Sequence, residues 1–179
     1  GDWSSDVCSS DLLRARAFQD DDLLVDLLAE HAGRLSVVAR SARKSARRFG
    51  GPLEMGTRLD AELNLHAGRD LHTLTRADVT VPLRRIREDL DRITALAYVL
   101  ELVRLCAREG AADATLYGLA TGAVDVLERA PAAPEALILW EAALLAHQGY
   151  AVTAATLARE AELSPELRDT LERQIGRAH

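Results

Sequence analysis

The apolar residues of this chain change their period at Val81-Pro82. Upstream they recur at every second residue, and downstream at every third or fourth. A period of two lays one face of a strand on a core, and a period near 3.6 does the same for a helix. No single class of secondary structure satisfies both. The switch therefore predicts an α+β chain with its strands first and its helices second.

The strand pattern is cleanest over Thr57–His66. Leu59, Ala61, Leu63 and Leu65 share one face, and Arg58, Asp60, Glu62, Asn64 and His66 share the other, as in a half-buried antiparallel strand. Ala67-Gly68 turns the chain into a hairpin partner, Arg69–Arg76. Leu23–Leu28 and Leu35–Arg40 form a second pair through His31-Ala32-Gly33, and Leu13–Phe18 supplies a truncated first strand. Five short strands joined by hairpins predict a small antiparallel barrel.

Beyond Pro82, Leu83, Ile86, Leu90, Ile93, Ala97 and Leu100 form one helical stripe, stopped near Gly110. Asp113 is placed to cap a second helix carrying Leu116, Leu119, Ala123 and Leu127, which ends at Pro131. Pro134 suits the start of a third, Glu135–Gln148. Its apolar residues lie on most sides, which predicts a place at the bundle centre. Ser164-Pro165 marks a last helix running to about Arg173.

Both ends of the sequence read differently. Val7-Cys8-Ser9-Ser10-Asp11 can be encoded by GTG TGC TCT TCC GAT, and Ile175-Gly176-Arg177-Ala178-His179 by the inverse complement of the same oligonucleotide. An inverted copy at each end is expected of a translated sequencing adapter, not of a gene. Residues 1–12 and 174–179 are therefore read as adapter-derived. That leaves a barrel domain over 13–80, with its first strand truncated, and a helical domain over 81–173. Cys106 is then the only cysteine, which excludes an internal disulfide or a cysteine zinc cluster and fits a reducing compartment. No apolar run approaches the roughly 18–20 residues of a membrane span.

Charge is segregated. Arg34, Arg40, Arg43, Lys44, Arg47 and Arg48 occur within one stretch without an acid, while the chain as a whole carries −6 and the remainder therefore −12. A compact positive patch on an acidic protein points to a local polyanion contact. Six phosphate contacts to an unpaired DNA strand would give a log–log salt slope of about −4. Phe18 and Phe49 are the only aromatics of the predicted barrel. Phe49 is read as an anchor of the basic loop to the core rather than as a stacking platform. A surface that grips the backbone and leaves bases unstacked would suit annealing.

Catalytic chemistry finds no motif. His31, His66, His72 and His147 lack a metal-ligand spacing. His66 and His72 are expected to face solvent across one hairpin, and Asp20-Asp21-Asp22 to solvate a turn. Arg84, Arg85 and Arg87 are expected to pair with Glu88, Asp89 and Asp91 on their own helix surface. Cys106 reads as a small core residue. Gly-rich phosphate loops, nucleophile elbows and CxxC pairs are absent. No enzyme activity, cofactor or metal site is expected.

The run Phe18-Gln19-Asp20-Asp21-Asp22-Leu23-Leu24-Val25-Asp26-Leu27-Leu28 is followed by Gly33-Arg34-Leu35-Ser36-Val37-Val38-Ala39-Arg40, then by Ala42-Arg43-Lys44-Ser45, Arg47-Arg48-Phe49-Gly50 and Leu53-Glu54. Ala97-Tyr98-Val99-Leu100-Glu101-Leu102 and Leu144-Leu145-Ala146-His147-Gln148-Gly149-Tyr150 come later in the same order. Together they resemble the bacterial DNA repair protein RecO family of recombination mediators. The resemblance implies an oligonucleotide-binding (OB) barrel followed by a helical domain. It also implies a cytoplasmic, nucleoid-associated protein that binds single- and double-stranded DNA, anneals strands coated with single-stranded DNA-binding protein, and cooperates with RecR. Ser41 stands where the family often has glycine, which makes a turn there harder. Ala151–Arg173 lacks the cysteines with which many relatives bind zinc. A non-enzymatic adaptor, its basic loop serving acidic protein tails, is the alternative reading.

Overall fold

The computed structural model describes residues 5–151 apart from Ser45 and Ala67. Five strands form a closed barrel: β1 (Ser5–Phe18), β2 (Asp22–Ala29), β3 (Gly33–Ala39), β4 (Arg58–Asn64) and β5 (Leu71–Val81). Their order around the barrel is β1-β2-β3-β5-β4, and β5 ends where the apolar period changes. The pairs are antiparallel except for β3 and β5, which run parallel over Ser36–Ala39 and Leu71–Leu74.

β1 reaches Ser5, upstream of the expected start at Leu13. It does two jobs: Ser5–Asp11 pairs with β4, and Ser10–Phe18 pairs with β2. A bulge between Leu12 and Arg14 re-aims the strand where it passes from one neighbour to the next. Strand hydrogen bonds use backbone groups alone, so the barrel closes over a segment of any origin whose inward positions are small or apolar. Here Leu12 and Ser10 are buried and Cys8 is packed against the core.

The inward set fills the barrel with Leu12, Val25, Leu27, Leu35, Val37, Leu59, Ala61, Leu63 and Leu74. Leu59, Ala61 and Leu63 alternate with more exposed neighbours along β4, as their spacing predicts. On the β2–β3 side, Gly33 (φ +68°) brings the chain against the loop that follows the helix α2 (Leu90–Cys106). Arg34 N donates to Arg108 O (3.1 Å), and Gly110 N donates to Arg34 O (3.0 Å). A Cβ on Gly33 would lie 2.0 Å from Ala111 O, so this clasp between barrel and helices needs glycine.

The predicted first helix is two. A short helix, α1 (Arg84–Arg87), precedes α2, and Asp89 caps α2 by accepting from Asp91 N and Arg92 N. The break at Glu88-Asp89 turns Leu90 outward, where it is 76% exposed rather than part of the buried stripe. The stop falls at Ala107, before Gly110. Arg84, Arg85 and Arg87 do not pair with the acids that follow them. The backbone N–H groups of Arg84, Arg85 and Ile86 donate to the Glu128 carboxylate, and Arg87 pairs with Glu54. Helix α3 (Ala114–Arg129) is capped by Asp113, which accepts from Leu116 N at 2.9 Å.

By compactness, residues 1–131 form one unit and 132–179 a second. The expected division at 80/81 separates strands from helices instead. Helix α4 (Pro134–His147) belongs to the second unit, begins at Pro134 and is followed by Gly149 at φ +86°. It buries only Ala142 and Leu144; Leu137–Trp140 are half-buried, not enclosed as a bundle centre would be. The predicted helix at Ser164-Pro165 lies outside the described residues. No helix among them is long and apolar enough to cross a membrane.

Candidate nucleic-acid interface

The six expected cations fall into two groups. Arg34, the second residue of β3, has its Nη1 donating to Arg104 O (3.3 Å) and its Nη2 3.6 Å from Glu109 Oε2. It is half-buried and ties the barrel to the end of α2. Arg40, Arg43, Lys44, Arg47 and Arg48 lie past the other end of β3, about 20 Å away by the rise per residue of a strand. All five are exposed on the β3–β4 connection.

That connection is anchored by its apolar residues. Ala42, Phe49 and Leu53 are buried with the barrel core, and Phe49 is fully enclosed within a 3-10 turn, Ala46–Phe49. Phe49 is thus the core anchor expected from the sequence and offers no ring face to a base. The Arg48 guanidinium lies over that ring, 4.7 Å from its centroid, and donates to Arg40 O. Gly50 (φ +66°) passes so near β5 that a Cβ there would meet Val79 N at 2.9 Å.

The acids Asp20-Asp21-Asp22 do more than solvate the β1–β2 turn. Asp22 Oδ1 accepts from Ser41 N (2.7 Å), Asp21 O from Arg43 N (3.1 Å), and Asp20 O from Arg43 Nη1 (3.0 Å). Asp21 Oδ2 stands 2.5 Å from Lys44 Nζ. The turn therefore splints the basic connection and partly neutralises Lys44, leaving Arg40, Arg47 and Arg48 as its least compensated cations. The signal was available in the sequence as a triplet of acids close before an acid-free basic run. Only the strand register shows that the two meet.

Ser41 adopts φ +54°, the left-handed region where glycine is at ease. His66 and His72 are half-buried rather than solvent-facing: His66 N donates to His72 Nδ1 (3.0 Å), and His66 Nε2 lies 3.0 Å from Thr73 Oγ1. They brace the β4–β5 hairpin. Burial pushes the half-buried Cys106 thiol up, away from the reactive thiolate. Among the described residues, no cluster of His, Cys, Asp and Glu has the makings of a metal site.

A closed five-stranded barrel followed by helices is an OB-type fold, a class that commonly presents a curved face and its loops to oligonucleotides. The family model described as recombination protein O N terminal matches residues 11–83, and that described as recombination protein O C terminal matches 87–167. The chain belongs to this recombination protein O (RecO) family. It is 37% identical over 138 residues to the DNA repair protein RecO of Anaeromyxobacter sp. strain K, covering 77% of this chain and 54% of that protein. The namesake from Geobacter sulfurreducens is 35% identical over 143 residues, 80% of this chain and 58% of its own length. That from Geobacter metallireducens is 32% identical over 165 residues, 92% and 66% respectively. The chain thus spans little more than half the length of the first two.

Proposed function

We propose that this chain is the DNA-binding part of a non-enzymatic recombination mediator that anneals strands during DNA repair. The observation that carries this reading is the exposed set Arg40, Arg43, Lys44, Arg47 and Arg48, gathered on one barrel connection and fixed to the core by Phe49. Guanidinium forks clamp phosphate oxygens without chemistry. Membership of a family whose relatives are named DNA repair proteins supports the same reading. RecR, the acidic tail of single-stranded DNA-binding protein, and single- and double-stranded DNA are its proposed partners, in a nucleoid-associated cytoplasmic setting. Residues 1–12 and 174–179 keep the proposed adapter origin.

Fluorescence anisotropy with a labelled oligonucleotide tests this. Replacing the five residues with Ser should abolish a salt slope of about −3.5, five contacts at roughly −0.7 each, with folding preserved. Arg34→Ser should leave that slope unchanged, because its guanidinium serves the contact with Arg104 and Glu109. DNA binding unaltered by the five-fold change would transfer the basic connection to the adaptor reading.

A further inference from the structure

We infer that an unpaired DNA strand leaving the basic connection continues across the outer face of β1 and β2, with phosphates on Arg16 and Arg14 and base faces against Phe18 and Leu24. This rests on the DNA-binding reading above and extends it to residues outside the basic run.

The register places them. On β1 and β2, Phe18 pairs with Asp22, Arg16 with Leu24, and Arg14 with Asp26. Val25 and Leu27 face the core, so the alternate positions Leu24 and Asp26 face outward, together with their partners Arg16 and Arg14. On β3, Val38 continues the row of Arg16 and Leu24, and Arg40 follows two residues further on. Two strand spacings and two residues put the Arg16 and Arg40 backbones about 12 Å apart, within joint reach of their long side chains. Arg14 and Arg16 are exposed; Arg16 makes no ion pair or hydrogen bond among the described residues, and the charge of Arg14 acts on the exposed Glu101 carboxylate of α2. The acids between them and Arg40 are already engaged: Asp22 accepts from Ser41 N, and Asp26 from the Ser36 hydroxyl at 3.0 Å.

Two exposed cations on alternate positions of one strand form a short track that leads out of the basic connection. Beside it, Phe18 and Leu24 are only half-buried, and they give the track an apolar floor. A duplex hides its base faces, whereas an unpaired strand can lay them on such a surface. The floor therefore selects the unpaired form.

The test compares salt slopes for a twenty-nucleotide thymidine oligomer and a duplex of the same length, using the whole chain. Arg14→Ser with Arg16→Ser should reduce the slope for the oligomer by about 1.4, two contacts at roughly 0.7, and leave the duplex slope in place. The Arg→Lys pair should restore it. Circular dichroism should show an unaltered fold, since Arg16 has no partner to lose and Arg14 loses only a solvent-exposed charge interaction with Glu101. An unchanged oligomer slope, with binding still lost in the five-fold Ser variant, overturns this inference and spares the proposed function. No loss in either variant overturns both. An equal fall for oligomer and duplex overturns the selection of unpaired DNA.

Discussion

Asp11 is fully buried against Arg58, its Oδ1 3.2 Å from the guanidinium Nε, while its Oδ2 has no hydrogen-bond partner. The pair sits on the outward side of β1 and β4, with Asp125 3.6 Å from Arg58 Nη2. Burial pushes the Asp11 carboxyl from 3.8 up to about 6, and Arg58 recovers only part of that cost. Between these two values the folded chain holds a proton that the unfolded chain has released. This group's contribution to stability is therefore full below about pH 4 and is lost as the pH rises through 6, a change on the order of 3 kcal/mol. Asp11→Asn should raise the melting temperature at pH 7.5 and do little at pH 4. A difference between variant and parent that stays constant across that range would contradict the assignment.

Ser41 occupies a left-handed turn without a glycine's freedom. Ser41→Gly removes a strain of about 1–2 kcal/mol but makes the unfolded chain more flexible. The expected net gain is about 0.5–1 kcal/mol in urea unfolding at constant m-value. The hydrogen bond from residue 41 N to Asp22 comes from the backbone, so the splint survives the change.

Gly33→Ala should act in the opposite direction. The new methyl would meet the Ala111 carbonyl, a backbone atom, at a residue already at φ +68°. A loss on the order of 3 kcal/mol is expected. Amide exchange should accelerate at Arg34 and Gly110, whose N–H groups form the clasp. Protection retained at both amides would mean that the clasp moves aside at no cost.

Phe49→Ala opens a cavity where the basic connection enters the core and should cost about 3–5 kcal/mol. It also removes the ring beneath the Arg48 guanidinium. Phe49→Leu retains most of the packing and should weaken oligonucleotide binding by a few-fold, measured at a denaturant-free salt concentration where both proteins are folded. Unchanged binding would show that Arg48 keeps its position without the ring.

What the sequence revealed followed the reach of each interaction. The alternation of Leu59, Ala61 and Leu63, the Asp113 cap and the Pro134 start are local patterns, and all three are observed. Leu90 misled because the stripe continues through a break that Asp89 creates by capping the helix that follows it. Arg84, Arg85 and Arg87 had near acids in sequence, yet Glu128 and Glu54 reach them through the fold. Arg34 belonged to the basic run by position, and the length of β3 carries it to the far end of the barrel. Arg14 and Arg16 stood outside the run because only strand register aligns them with Arg40.

One feature of β3 sets the order in which the molecule can be made. Its second edge pairs with β5, with Ser36 opposite Leu71, so it leaves the ribosome well before that partner exists. During synthesis that edge must wait unpaired, accessible to chaperones and proteases. The barrel can shut only once the downstream hairpin has emerged.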